Sequence, residues 1–245
     1  MANSYATHTE LMNRLGLEEN DRHEGMLIDV LEAASRWIDI ECERRFFTNS
    51  TPETRYYTLA YPYGNGGTKI EIDDFVGTIT LQTDNNGDGV YETTWTAGTD
   101  YWLSPKNAVL DNKPYTCINR TQLTGRYYFP GYEYGISVTG TFGYSTLVNR
   151  PTNIRELCIN VALIALGYST SVGSVSLAGS SSSSSSVSGP LVIPGVSSYR
   201  IGQELEVKLT DSSSFVSAVN SLNSASLPMS CRNIIDLYTK RRLVI

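Results

Sequence analysis

Between His23 and Phe47 the polar positions Asp29, Glu32, Arg36, Asp39 and Glu43 recur by threes and fours, while Leu27, Val30, Leu31, Ala34, Trp37, Ile38 and Cys42 fill the other side. That period of 3.6 predicts an amphipathic helix. Glu32 with Arg36, and Glu41 with Arg45, stand at helical spacing for ion pairs worth about 0.2–0.5 kcal/mol each. A shorter helix is predicted from Thr7 to Leu17, with Thr7 and Glu10 at capping-box spacing and Gly16 as its stop. A third starts at Pro151 and is apolar on every face from Val161 to Leu166. A surface helix keeps a polar stripe, so one without it has to be covered on all sides. A neighbouring subunit is a natural supplier of that cover, which makes Trp37, Val161, Leu163, Ile164 and Leu166 candidate subunit-contact residues. A final helix is predicted from a Ser230 cap to about Lys240.

From about Thr48 to Ser145 the period changes from 3.6 to 2. Strands are predicted over Lys69–Ile72, Gly77–Thr83, Tyr91–Trp95, Cys117–Thr121, Tyr127–Phe129 and Gly135–Phe142, separated by Gly, Asn, Asp and Pro turns. Twelve of the sixteen tyrosines fall here, so this β unit carries most of the aromatic surface. Fourteen serines crowd residues 169–198, a composition that buries too little surface to order itself and reads as a linker or a loop that orders against a neighbour. Arg200 to Leu209 alternates again, as a strand or hairpin arm.

The resulting expectation is α+β: a helical core of three to four helices with a large inserted antiparallel β unit and an extended C-terminal arm. Its segments are N-terminal helices (1–48), β unit (49–145), core helix (146–169), serine-rich segment (170–199), arm or hairpin (200–229), and C-terminal helix with tail (230–245).

Composition narrows the function. A net charge of −6 implies no basic face and argues against tight sequence-independent binding to DNA. Cys42, Cys117, Cys158 and Cys231 are far apart, without a Cys-x-x-Cys pair; Cys42 and Cys158, on predicted helices, read as buried free thiols, which favours a reducing compartment. The first residues carry no basic-then-apolar signal pattern. The apolar stretch from Leu157 lasts only to Tyr168, short of the roughly 20 residues that span a bilayer.

Little points to catalysis. The two histidines, His8 and His23, both lie in the N-terminal helical region, and there is no P-loop, no dinucleotide fingerprint and no His-Glu-x-x-His. No enzyme, and no cofactor, is expected. One stretch has metal-like spacing: Asp84, Asn86, Asp88 and Glu92 match the front of a calcium loop. Its twelfth place is Trp95 instead of a bidentate Glu, and its flanks read as strands, so a hairpin turn built on Asn, Asp and Gly is the simpler reading. The chain ends Leu243-Val244-Ile245 after Lys240-Arg241-Arg242, an apolar, β-prone tail suited to adding to a partner's sheet or folding back on its own core.

Several pieces, in order, resemble the head-to-tail connector (adaptor) proteins of tailed bacteriophages. They are Leu31-Glu-Ala-Ala-Ser-Arg-Trp-Ile-Asp with Arg45-Phe46-Phe47, the Asp84–Glu92 stretch, Asp100-Tyr-Trp-Leu-Ser-Pro, Pro114-Tyr, Val138-Thr-Gly-Thr-Phe-Gly-Tyr, the Pro151 helix, and Ile235-Asp-Leu-Tyr-Thr-Lys-Arg-Arg. Small members of that family are mostly helical; this chain adds the β unit and the serine-rich segment. The resemblance implies a homo-oligomeric ring of about twelve subunits in the neck of the virion, assembled from the host cytoplasm, away from any membrane. A portal protein would bind one side and a tail, stopper or neck protein the other. Genomic DNA would pass through the lumen without sequence-specific contacts. The portal-docking residues it implies are Tyr238, Lys240, Arg241, Arg242, Leu243, Val244 and Ile245. The rival reading is a carbohydrate- or receptor-binding module with the tyrosine-rich unit as its face.

Overall fold

The computed structural model of the protein describes residues 3–16, 21–59, 68–121, 128–145, 150–166, 168–171, 174–177, 196–200, 206–209, 212–224 and 227–240. In chain order the elements are α1 (His8–Leu15), α2 (Asp21–Cys42), β1 (Glu53–Tyr57), β2 (Lys69–Thr83), β3 (Thr93–Trp95), β4 (Tyr101–Ser104), β5 (Tyr115–Arg120), β6 (Ile136–Phe142), α3 (Thr152–Ala165), β7 (Tyr168–Ser171), β8 (Ser174–Leu177), β9 (Val196–Arg200), β10 (Glu206–Leu209), α4 (Ser212–Asn220) and α5 (Met229–Tyr238). They divide into a helical unit, residues 1–44 with 151–245, and a β unit, residues 45–150.

The helical unit is built around α2 and α3. At α1 the capping box forms: the Glu10 N–H donates to Thr7 Oγ1 at 3.2 Å, the Thr7 N–H donates to the Glu10 carboxylate at 2.9 Å, and Gly16 closes the helix at φ 68°. The apolar side of α2 is buried as its period predicts, with Leu27, Val30, Ala34, Ile38 and Cys42 fully covered. Against it pack α1, α3, α4 and α5. Ser35, a fully buried polar side chain on α2, donates to Leu31 O at 2.7 Å and accepts from the Tyr5 N–H at 2.9 Å, so its burial leaves no unmet hydrogen bond. Arg14 with Glu156 (2.6 Å) and Arg155 with Glu10 (3.1 Å) tie α1 to α3 at the surface. The four cysteines are free and buried; burial, with the Asp39 charge behind it, pushes the Cys42 thiol up to about 12, which keeps it protonated and unreactive.

The β unit is a six-stranded antiparallel sheet in the order β1-β6-β2-β5-β4, with β3 also on β2. The long β2 spans the sheet: its first half pairs with β5, its end with β3, and β6 runs along its other edge. The β2–β6 register shifts between Val76 and Thr80, where Gly77 takes φ 84°, a bulge in the strand. Phe75, Leu81, Ile118, Ile136, Val138 and Phe142 form the fully buried centre. Trp95 stacks on Phe129 with centroids 4.7 Å apart, and its indole N–H donates to Thr83 Oγ1 at 3.0 Å. At the β1 edge Arg55 forks onto Asp73 (2.7 Å) and Glu53 (2.8 Å) while lying 4.3 Å over the Phe142 ring. Arg45 also binds Glu53, and although burial alone would raise this carboxyl, the two guanidiniums hold it below its ordinary value.

Several expectations are corrected. Helix α2 stops at Cys42, because Glu43 turns to φ 49°; Arg45 therefore leaves the helical frame and binds Glu53, and Arg36 engages Asp39. The two strands expected over Lys69–Thr83 are one, and β1 and β4 add two that were not expected. Tyr128 and Phe129 are not in a strand. The cap of α5 is Pro228, without a side-chain bond, instead of Ser230. The serine-rich stretch opens with the β7–β8 hairpin, while residues 178–195 lie outside the described residues. In the arm β9 pairs antiparallel with β10, and α4, next in the chain, packs on α2 and α3 instead of extending away. Among the described residues no helix is long and apolar enough to cross a membrane.

Candidate functional site

At one end of the sheet the last residues of β1 and β2 and the first of β6 come together. Two loops close this end. Residues 84–92 leave β2, residues 130–135 enter β6, and the Asp84 N–H donates to Gly135 O at 3.0 Å to join them. Asp84 organises the first loop. Its carboxylate accepts the N–H groups of Gly87 (2.7 Å), Gly89 (2.8 Å) and Asn86 (3.0 Å), while Gly87 and Gly89 take φ 81° and 84°. This is the Asx-type turn expected where Asp precedes glycines, since only Gly adopts that backbone without cost. Burial alone would raise the Asp84 carboxyl; the N–H groups of Gly89, Gly87, Asn86 and Asp88 outweigh it and hold the group below its ordinary value.

A lowered folded value fixes the direction of the pH response. The Asp84 contribution is fully present above the unfolded carboxyl value, about 4, and is lost as pH falls through the lower folded value. Asp84→Ala is expected to release the Gly87 and Gly89 amides to fast hydrogen exchange at neutral pH, and the wild-type loop is expected to do the same only on acidification below that value. Equal protection of these amides in the variant would show that the carboxylate does not hold the loop.

Tyrosines cover the loops. The Tyr132 hydroxyl donates to Asn85 O at 3.2 Å, and its ring sits over Gly87, where an added Cβ would stand 3.7 Å from it. The Tyr91 hydroxyl donates to Tyr134 O at 2.7 Å, and its ring stacks on Tyr56 with centroids 5.6 Å apart. Tyr134 takes φ 56° and its N–H donates to Thr58 Oγ1 at 2.8 Å. Tyr56, Tyr132 and Tyr134 are nonetheless about half exposed (52%, 47% and 59%).

The four residues of calcium-like spacing are thus in one turn. Carboxylate oxygens of Asp84, Asp88 and Glu92 lie within 4.8 Å of one another. Asn86 is tied into the same turn: its carbonyl oxygen accepts the Asp88 N–H at 3.1 Å and its amide donates to Asp88 at 3.0 Å. Both Asp84 oxygens are also taken by backbone N–H groups.

The subunit-contact candidates land elsewhere than expected. Trp37, Val161, Leu163 and Leu166 are buried in the helical unit's own core, the Trp37 indole donating to Leu222 O at 3.2 Å; Ile164 alone keeps partial exposure. The cover this helix needs is supplied by α1, α2, β7, α4 and α5 of the same chain. Of the docking candidates, Tyr238 is partly buried, which raises its phenol, and the Lys240 N–H donates to Cys42 O at 3.0 Å at the end of α2. Arg241, Arg242, Leu243, Val244 and Ile245 lie outside the described residues. The tyrosine cap was legible only as an aromatic-rich region; Pro130-Gly-Tyr-Glu-Tyr-Gly, with aromatics in a turn instead of a strand, is the signal that marks it.

No protein-family model matches the chain, and no characterised protein matches it by sequence. Among solved structures it is similar to a chain in the neck of an empty gene transfer agent particle computed with C6 symmetry, at 15% identity and a TM-score of 0.43, over 68% of this chain and 80% of that one. A chain in the virion of the native gene transfer agent particle gives 15%, 0.44, 68% and 81%, and one in the native neck computed with C12 symmetry gives 17%, 0.41, 68% and 80%. Likeness at this level is weak and bears on neither residues nor partners.

Proposed function

We propose that the protein is a structural component of a phage-like virion, a head-to-tail connector that forms a ring between the portal and the tail or stopper, with DNA passing through its lumen, and that it is not an enzyme. What carries the reading is the ordered set of connector-like motifs, which fall on α2, the Asp84 turn, β4, β6, α3 and α5 and so run through both units. The mild negative charge suits a lumen past which DNA slides without sticking. With α3 consumed by the subunit's own core, the large apolar side chains that the helical unit leaves exposed among the described residues are Ile40 on α2 and Met229 and Leu237 on α5, by 73%, 64% and 69%. On this reading the tail, Arg241 to Ile245, docks on the portal. Its deletion is expected to leave the subunit folded, by circular dichroism, and to abolish tail attachment to DNA-filled heads, seen by electron microscopy. Normal tails on heads carrying the truncated protein would refute the docking role. The protein's position and copy number in whole particles test the connector reading itself. The exposed tyrosine cap favours one second reading, a carbohydrate- or receptor-binding module, which binding on a glycan array would support.

A further inference from the structure

We propose that the tyrosine cap of the β unit is a docking surface for an arginine-bearing peptide segment of a partner protein. The inference stands on the cap itself and does not depend on the connector reading.

The chemistry left over at the cap is specific. The hydroxyls of Tyr132 and Tyr91 donate inward to the carbonyls of Asn85 and Tyr134, so what these rings offer outward is their π faces. In the same two loops are the carboxylates of Asp88, Glu92 and Glu133, all exposed, and among the described residues none of the three has an ion-pair partner. Asp88 and Glu92 share a cluster with Asp84 whose oxygens lie within 4.8 Å, so like charges crowd a small area. A cation brought there relieves that repulsion and gains the ring quadrupole as well.

The chain shows what completes such a set. Arg36 lies over Tyr5 and binds Asp39; Arg45 lies over Phe47 and binds Glu53; Arg55 lies over Phe142 and binds Glu53 and Asp73. Each is a guanidinium between an aromatic face and a carboxylate. The cap presents the face and the carboxylates and leaves the third member to come from outside. Arginine fits better than lysine because its planar fork stacks on a ring while binding carboxylates through two N–H groups. The surface is also set in advance: the Asp84–Gly135 and Tyr134–Thr58 hydrogen bonds fix both loops, so little ordering is lost on binding. A neutral sugar would stack on the rings but leave the crowded charge uncompensated.

The test uses full-length protein and fluorescein-labelled peptides of alternating Gly-Arg, Gly-Lys and Gly-Glu, followed by anisotropy at low and at physiological ionic strength. The Gly-Arg peptide is expected to bind tightest and the Gly-Glu peptide not at all, with affinity falling as salt rises. Glu92→Gln with Glu133→Gln, which keeps the Asp84 bonds of the turn and leaves an amide oxygen to accept the Asn85 N–H that Glu92 accepts at 3.4 Å, is expected to weaken Gly-Arg binding about tenfold. Tyr134→Asn, a residue that accepts positive φ, is expected to weaken it several-fold through the ring face alone. Amide-exchange protection of Gly87 and Gly89 reports that the turn survives in both variants. Equal binding of the Gly-Arg and Gly-Glu peptides, or wild-type affinity in both variants, would overturn the proposal. So would saturable binding of an oligosaccharide, or of calcium ion alone, by protein that does not bind the Gly-Arg peptide.

Discussion

Val161→Asp is expected to unfold the helical unit. Val161 is fully buried on α3, whose neighbours are α1, α2, β7, α4 and α5 of the same chain. The substitution removes an apolar side chain whose burial contributes about 1.5–3 kcal/mol. It also places a carboxyl where no partner awaits it, at a further cost of about 1–3 kcal/mol or more. The sum, near 4 kcal/mol or above, approaches the whole stability of an ordinary domain, about 5–15 kcal/mol. Circular dichroism should show helix loss, and the first cooperative transition should vanish or fall steeply in temperature. Ile164→Asp is the contrasting variant. Ile164 keeps part of its surface in water, so the charge has somewhere to go and the unit should stay folded. A Val161→Asp protein that folds normally and loses only its self-association would return α3 to the role of a subunit contact.

That pair separates what the sequence could carry from what it could not. The apolar run from Val161 to Leu166 dictates complete cover, and complete cover is what the structure has; which chain supplies it is not written in the run. The supplier includes α4, which begins Ser212-Ser-Ser, so propensity spoke against a helix there. Tertiary packing overrides it, with Val219 fully buried. Helix α1 was fully legible because its capping box is a local signal with a local cause. The end of α2 was not: Arg44 to Phe47 continue a helical pattern, and a non-glycine residue at positive φ, Glu43, leaves no mark in the sequence. In the β unit, alternation found both halves of β2, but the Asp73-Asp74 pair split them; in the fold Asp73 serves Arg55, and the Asp74 carbonyl accepts the Gly143 N–H. Strand β1 was missed because its charges, Glu53 and Arg55, look like loop residues until their partners are known. The cap is the extreme case. Its turn was readable from Asp84-Asn-Asn-Gly-Asp-Gly, but its aromatic face is assembled from residues 56, 91, 132 and 134, whose proximity is a property of the sheet.

Gly143→Ala is expected to be the most damaging small substitution in the β unit. Gly143 follows β6 at φ 136°, a backbone that side-chain-bearing residues rarely adopt. A Cβ there would lie 2.0 Å from Phe47 O and 2.7 Å from Phe47 C, with Thr48 Cγ2 at 3.0 Å, and the first two are backbone atoms with no rotamer to change. Nor can the glycine drift away. Its N–H donates to Asp74 O at 2.7 Å, the next N–H, of Tyr144, donates to Arg45 O at 2.7 Å, and the Tyr144 ring rests on Phe46 with centroids 5.3 Å apart. Relief of the clash therefore means breaking the join between the end of β6 and residues 45–48. Strain and overpacking together come to about 3–5 kcal/mol, which for a unit of this size lowers the melting midpoint by more than about 10 °C. Gly98→Ala is the control. Gly98 also has positive φ, 80°, but nothing lies within 4 Å of its Cβ position, so only the backbone cost of about 1–2 kcal/mol applies. Differential scanning calorimetry of the two full-length variants separates the contributions. A Gly143→Ala midpoint no lower than that of Gly98→Ala would mean that residues 45–48 move aside freely and that the close approach of Phe47 does not hold the sheet's edge in place.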